Sequence, residues 1–223
     1  MARKFARPRR YLVIMAKSPR LGLAKRRLGA EIGDIAALRF YRNCLNRSCS
    51  RLGSDPRWQT LLAVTPDRDL HAGDWPRNVP RIAQGSGDLG QRIHRIFASL
   101  PTGDVMIIGS DIPAIEPSHI AQAFRLLGRA DAVFGPATDG GYWLVGLKRM
   151  LAALNAFAHV RWSGPHALAD TLANLDGKNI ALAATLSDVD EANSYLAWRD
   201  TAAKLVATRP SSFSSRPDAA SPR

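Results

Sequence analysis

Short apolar runs alternate with stretches of helical spacing along nearly the whole chain, and that alternation restricts it to few folds. Tyr11–Ala16, Leu61–Thr65, Arg81–Gln84, Val105–Gly109, Ala132–Gly135, Tyr142–Leu147 and Ile180–Ala184 read as strands. Asp34 reads as the cap of a helix whose apolar stripe is Ile35, Leu38, Tyr41, Leu45, Cys49 and Leu52. Further helices are expected from about Asp88 to Leu100, from Pro117 to Leu127, near Met150–Phe157, over Pro165–Leu175 and over Glu191–Val206. Pro117 falls in the first turn of its helix, where a missing N–H does no harm. Strands and helices in such alternation imply an α/β fold with a mainly parallel sheet covered on both faces.

With 223 residues, 46% of them hydrophobic, the chain can bury a full core. No apolar run approaches the roughly 20 residues that span a bilayer. The stretch after Arg9-Arg10 is interrupted at Lys17, too short for a secretory h-region of about 7–15 residues, so a cytoplasmic protein is expected. The formal charge of +12 is unevenly placed. Ten of the 31 Lys and Arg lie in residues 1–27 with no acid among them, which leaves 21 against 19 acids in the rest. A nucleic-acid binder spreads basic and aromatic residues over a broad face, so nucleic acid is not the expected partner. Residues 1–10 read as a disordered basic leader, 11–208 as one domain, and 209–223, rich in Ser, Pro and Arg, as a disordered tail. Cys44 and Cys49, five apart within a helix, have neither disulfide nor zinc spacing, and the five histidines are too scattered to pair as ligands.

The chemistry concentrates in a few loops. After the first strand come Lys17, Arg20, Lys25, Arg26 and Arg27, with Gly22 in their midst. So many cations on one connection repel each other strongly, and a nucleotide diphosphate or triphosphate would neutralise them. The end of a first strand is where α/β folds bind such groups. Lys17, Arg20, Lys25 and Arg27 are assigned to phosphate, while Arg26 reads as a surface cation. Asp111, in Gly109-Ser110-Asp111-Ile112-Pro113, follows the strand V-M-I-I-G and faces the same crevice. Mg²⁺ or Mn²⁺ favours such a carboxylate together with diphosphate oxygens, although a turn cap would also explain it. Asp139-Gly140-Gly141-Tyr142 is a tight turn that also brings a carboxylate and bare backbone to a sugar or acceptor. Asp88 caps its helix, whose start could also receive an anion. Trp162 is either a stacking wall for substrate or a buried anchor. In Asp188-Val189-Asp190, Asp190 reads as a helix cap and Asp188 as a second metal contact.

Taken in order, these motifs resemble the bacterial GT-A-fold transferases known as selenodomain-associated or arsenosugar-biosynthesis glycosyltransferases. The likeness rests on Ala16-Lys17-Ser18-Pro19 with Gly22, Lys25, Arg27 and Leu28, then Asp88-Leu89-Gly90 with Arg92. It continues through Gly109-Ser110-Asp111 with Pro113, Gly135-Pro136, Asp139 to Tyr142, Trp162-Ser163 and Asp188-Val189-Asp190. Arg26 stands where that family has Thr, so a hydroxyl is lost from the loop. The resemblance implies a three-layer α/β/α nucleotide-diphospho-sugar transferase (GT-A) fold, a mixed central sheet and a divalent cation.

The leading functional expectation is a metal-dependent glycosyltransferase moving a sugar from a nucleotide sugar to a small-molecule acceptor. In it Asp111 holds Mg²⁺ or Mn²⁺, the loop cations stabilise the departing nucleoside diphosphate, and Asp139 serves the acceptor. Gly140, Gly141, Tyr142 and Trp162 bind substrate. The alternative is a nucleotidyltransferase, guanylyltransferase-like, which joins an NTP to a phosphorylated acceptor and releases pyrophosphate. Arg20-x-Gly22-x-x-Lys25 matches half of that class's signature, but its preceding glycine run is replaced by Ala16-Lys17-Ser18-Pro19. A non-enzymatic, basic nucleotide- or RNA-binding module is the third reading. Composition and spacing carry no signal for oligomeric state, donor base or stereochemistry.

Overall fold

A computed structural model describes residues 10–148, 151 and 155–207. Residues 1–9 of the expected leader, the tail from 208 onward and most of the helix expected near Met150–Phe157 lie outside the described residues. The elements, in chain order, begin with β1 (Arg10–Lys17), α1 (Arg26–Ile32), α2 (Asp34–Gly53) and β2 (Gln59–Thr65). After a short 3-10 turn at Asp67–Asp69 come β3 (Arg81–Ala83), α3 (Leu89–Ser99), β4 (Asp104–Gly109) and α4 (Pro117–Leu127). The remainder is β5 (Ala132–Pro136), β6 (Tyr142–Leu147), α5 (Ala167–Ala173), β7 (Ile180–Leu182) and α6 (Ala192–Ala207).

The strands form one sheet in the order β3-β2-β1-β4-β6-β5-β7. Pairing is parallel from β3 through β4 and again between β5 and β7, while β6 runs antiparallel to both of its neighbours. The sheet is therefore mixed and mainly parallel, as the motif order implies. Alternate residues of each strand enter opposite layers, as a period of two requires. Leu12, Ile14, Leu62, Val64, Met106 and Ile108 meet α2 and α4 through Leu45, Cys49, Leu52, Ile120 and Phe124. Tyr11, Val13, Leu61, Ala63, Val105 and Ile107 meet α3 through Ile93, Ile96 and Phe97. Both faces are thus covered, giving three layers.

Two local readings need correction. The loop after β1 is shorter than the charge pattern suggests, because Arg26 and Arg27 open α1. The left-handed backbone of Lys25 (φ 52°) and Gly33 (φ 89°) bound that helix, and Gly33 turns the chain straight into α2. In α2 the buried stripe runs through Ala37, Phe40, Tyr41, Cys44, Leu45, Ser48, Cys49 and Leu52, while Ile35 lies 70% exposed in the first turn. Burial pushes both thiols up to about 12, so Cys44 and Cys49 behave as small apolar residues. Among the described residues no helix is long and apolar enough to cross a membrane.

All the parallel strands end at one edge, and a buried phenol fixes that edge. Tyr41 of α2 donates to the Lys17 carbonyl and accepts from the Lys17 N–H, each at 2.9 Å, with Ser110 Oγ at 3.3 Å. Burial pushes this phenol above its ordinary value, so it stays a neutral donor. It ties together the ends of β1 and β4. Tyr41→Phe removes the shared partner and orphans both backbone groups. It is expected to cost about 1–2 kcal/mol, read as a Tm loss of roughly 3–6 °C by calorimetry.

Candidate active site

A cleft of about 470 Å³ opens over the strand ends, lined from β1, β4, the β5–β6 turn, α1, α3 and the segment before α6. A second concavity, of about 490 Å³, is lined by Leu70, His71 and residues 76–81 and carries no carboxylate. The acid cluster and most of the expected site residues lie in the first.

At its floor Lys25 is held between two acids. Its ammonium donates to Asp111 Oδ2 at 2.7 Å and also to Asp190 Oδ1, and its side chain is only 4% exposed. Burial alone would lower its pKa, but the charges and hydrogen bonds of Asp111 and Asp190 outweigh it and raise the group above its ordinary value. Lys25 is a fixed cation. Asp188 completes the group: Asp111, Asp188 and Asp190 each offer a carboxylate oxygen within 4.8 Å of the others. Desolvation first, then Asp190, Asp111 and Asp139, push the Asp188 carboxyl up to about 6. Three hard oxygen donors with less than their full countercharge match the donor set that Mg²⁺ or Mn²⁺ prefers.

The backbone explains why residues so distant in sequence meet. Asp111 follows β4 directly, and its carbonyl accepts from the Val189 N–H at 3.3 Å. After β7 the chain runs as a strap beside β5, with Ala183 N–H donating to Phe134 O at 2.8 Å and Leu186 N–H to Pro136 O at 3.1 Å. Trp143 Nε1 donates to Ala184 O at 2.9 Å. Val189 is buried against Leu28 and Phe40, so Asp188 and Asp190, two residues apart on an extended strap, both turn to the acid cluster. Glu191 pairs with Arg27, and Ala192 N–H donates to Glu31 Oε2 at 2.9 Å, which fastens the strap to α1. Asp190 therefore serves the cluster through Lys25, where the sequence reads it as a helix cap.

The predicted phosphate-binding residues divide. Lys17, Lys25 and Arg27 line the cleft, and so do Arg26, read as a surface cation, and Arg92 of α3. Arg20 does not: it turns to Asp69 and Asp74, both at 3.3 Å, and its side chain stays 48% exposed. Gly22 is likewise absent from the cleft lining, its positive φ of 73° serving the turn. Arg26 stays exposed and borders the cleft from the first turn of α1.

On the far side, Asp139 Oδ1 accepts from the Gly141 N–H at 2.9 Å inside the tight turn, and Asp139, Gly141 and Tyr142 line the cleft. Gly140 does not; its φ is +85°, and an added Cβ would lie 2.4 Å from the Pro165 carbonyl oxygen. It is there for packing. Tyr142 stands edge-on to Phe134 (5.2 Å, 78°) and to Trp162 (6.3 Å, 66°). Trp162 lines the cleft, and an added Cβ at Gly90 would meet its Cζ2 at 2.9 Å, so it is both wall and anchor. Neighbouring Arg161 is taken up by a two-pronged pair with Asp170. Asp88 forms a full capping box with Gln91 at the start of α3.

Residues 48–164 match the family described as "Uncharacterized protein conserved in bacteria (DUF2064)", more than half of the 223 residues, and the chain belongs to that family. The matched span contains Asp111, Asp139 and Trp162 but neither Lys25 nor the Asp188–Asp190 strap. No curated protein matches the sequence significantly. Solved structures share the fold. A protein from Desulfovibrio desulfuricans G20, assigned as a nucleotide-diphospho-sugar transferase, superposes with TM-score 0.79 at 22% identity, over 92% of this chain and 89% of that one. The 4-diphosphocytidyl-2C-methyl-D-erythritol synthase from Anaerococcus prevotii gives 0.58 at 9% identity, over 88% and 99%. Rv0371c from Mycobacterium tuberculosis H37Rv, solved as a manganese complex, gives 0.53 at 13%, over 86% and 98%.

Two outcomes follow from this geometry. Because the Asp188 carboxyl sits near 6, above its ordinary 3.8, the folded metal-free protein holds that proton better than the unfolded chain. This contribution is present below about pH 4 and is lost as pH rises through about 6. Asp188→Asn should therefore raise the metal-free Tm above pH 6, by roughly 2–4 °C for about 1 kcal/mol of relieved repulsion. The gap should close below about pH 4 in a calorimetric pH series. Gly140→Ala should lower the unfolding free energy, since both its φ and the Pro165 backbone oppose a Cβ, by about 1–3 kcal/mol in denaturant melts.

Proposed function

We propose that this DUF2064 protein is a divalent-metal-dependent transferase that moves a sugar from a nucleotide sugar to a small-molecule acceptor. The observation that carries the reading is the convergence of the Asp111–Asp188–Asp190 cluster with the cations Lys17, Arg26, Arg27 and Arg92 in one cleft at the strand ends. Acid alone would hold a metal, and base alone an anion. Side by side they fit a metal-bridged diphosphate. The fold of the Desulfovibrio neighbour and the manganese in Rv0371c support this reading. So do the motifs shared with the selenodomain-associated and arsenosugar-biosynthesis glycosyltransferases.

A divalent cation held by Asp111, Asp188 and Asp190 supplies Lewis-acid stabilisation of negative charge on the diphosphate. The remaining work falls to the chain. Lys17 borders the cleft from the end of β1, Arg26 and Arg27 from α1 and Arg92 from α3, where they neutralise phosphate oxygens as the sugar bond breaks. Asp139, across the cleft, accepts the proton of an acceptor hydroxyl or orients it. Tyr142 and Trp162 form the apolar wall against which a sugar or acceptor ring lies. The buried neutral thiols fit a cytoplasmic protein.

Nucleotidyl transfer is the second reading, favoured by the fold shared with the 4-diphosphocytidyl-2C-methyl-D-erythritol synthase and with a cytidylyltransferase from Leptospira borgpetersenii. Arg20 weighs against it, because the first residue of the R-x-G-x-x-K half-signature pairs with Asp69 and Asp74 instead of facing the cleft. A product assay separates the two. NDP released from NDP-sugars with Mn²⁺ is expected, and pyrophosphate released from NTPs would replace sugar transfer with nucleotidyl transfer. Asp111→Asn is expected to weaken Mn²⁺-dependent nucleotide binding at least about tenfold by calorimetry. Unchanged or tighter binding in that variant would make the protein a basic binding module and not a metal-dependent enzyme.

A further inference from the structure

Lys25 sits where a cation belongs, at the centre of the acid cluster, and not on the rim with the other basic residues of its neighbourhood. Its ammonium lies 2.7 Å from Asp111 Oδ2 and in contact with Asp190 Oδ1, its side chain 4% exposed. Those two carboxylates and Asp188 are the groups whose oxygens converge within 4.8 Å, a spacing one divalent ion bridges. The two cations compete for this place. An ammonium bonded to one oxygen of each of two donors takes up part of their accepting capacity and repels a doubly charged ion at close range.

The surroundings give the ammonium somewhere to go. Lys25 caps α1 in a left-handed conformation and itself lines the open cleft beside the acid cluster. Lysine carries a compact charge on a flexible stem with three rotatable donors, so it can exchange partners without moving the backbone. An arginine locked in a two-pronged pair could not do so as readily.

We propose that Lys25 is an internal counter-cation that gives up its place to the divalent metal. In the metal-free protein it holds Asp111 and Asp190 together; on metal binding its ammonium turns from them into the open cleft, where it takes a phosphate oxygen of the nucleotide. Lys25 is then a positioning residue that couples the two ligands, so that metal strengthens diphosphate binding and diphosphate strengthens metal binding by the same factor. The inference rests on the metal-dependent reading above and specifies how its site is loaded.

Two measurements on the full chain test it, with Mn²⁺ alone as probe. By titration calorimetry, Lys25→Met is expected to bind Mn²⁺ at least about tenfold more tightly than the wild type, because the competing charge is gone. Equal or weaker binding overturns the exchange, since a lysine that merely braces the site would lose affinity when removed. In the wild type, acetic anhydride labelling followed by peptide mass spectrometry reads Lys25 directly. Its acetylation should be slow in the metal-free protein, rise severalfold with saturating Mn²⁺, and fall when pyrophosphate is added. A Lys25 that stays unreactive while calorimetry records saturable Mn²⁺ binding sinks the exchange and leaves the transferase reading standing. Absence of Mn²⁺ binding in both proteins sinks both. Should Lys25→Met fail to fold, the wild-type labelling decides alone.

Discussion

The contact between the Lys25 ammonium and two aspartates organises the functional end of this molecule. Each charge would be costly to bury alone, and each is tolerable only because the others are there. The contact joins three parts of the chain: the first strand-to-helix connection, the loop after β4 and the strap before α6. Hydrophobic burial on both faces of the sheet supplies most of the driving force for folding, but it is indifferent to which carboxylate meets which cation. The ion cluster supplies that specificity, and the Tyr41 phenol beneath it keeps the two strand ends from drifting apart.

The cleft is divided by chemistry. Acid and ammonium lie at the floor, further cations border it from the end of β1, α1 and α3, and Tyr142, Trp162 and Leu89 give it an apolar side. A ligand filling all three would carry a phosphate group, a metal-binding oxygen face and a ring, a composition that nucleotides share. The reversed direction of β6 contributes as well. With β6 antiparallel, its first residue and the turn before it arrive at the same edge as the last residues of β1 and β4, so Asp139 can face the cluster.

The strands were legible because buried parallel strands are written as unbroken apolar runs, and V-M-I-I-G or Y-L-V-I-M-A leaves few other readings. Asp111 was legible for the same reason, as a carboxylate immediately beyond such a run. What failed was phase. The opening of α1, with two consecutive arginines and a glycine at 29, carries no clear amphipathic stripe, so the sequence reads there as loop. Arg20 is drawn off by Asp69 and Asp74, while Arg26 borders the cleft from the helix. Asp190 was hidden by its position just before a helix, where capping is the ordinary explanation. The alternation of Asp-Val-Asp was the available signal, because an extended strap with a buried valine sends both acids the same way.

The strap has a consequence for how the molecule comes into being. Lys25 and Asp111 are made first, and Asp188 and Asp190 leave the ribosome well after them. A nascent chain can therefore lay down its parallel half-sheet and form the first ion pair while still unable to complete the carboxylate trio. The trio is closed only when the strap arrives. A message cut short before codon 188 would yield a chain that keeps the Lys25–Asp111 pair and lacks two of its three clustered carboxylates.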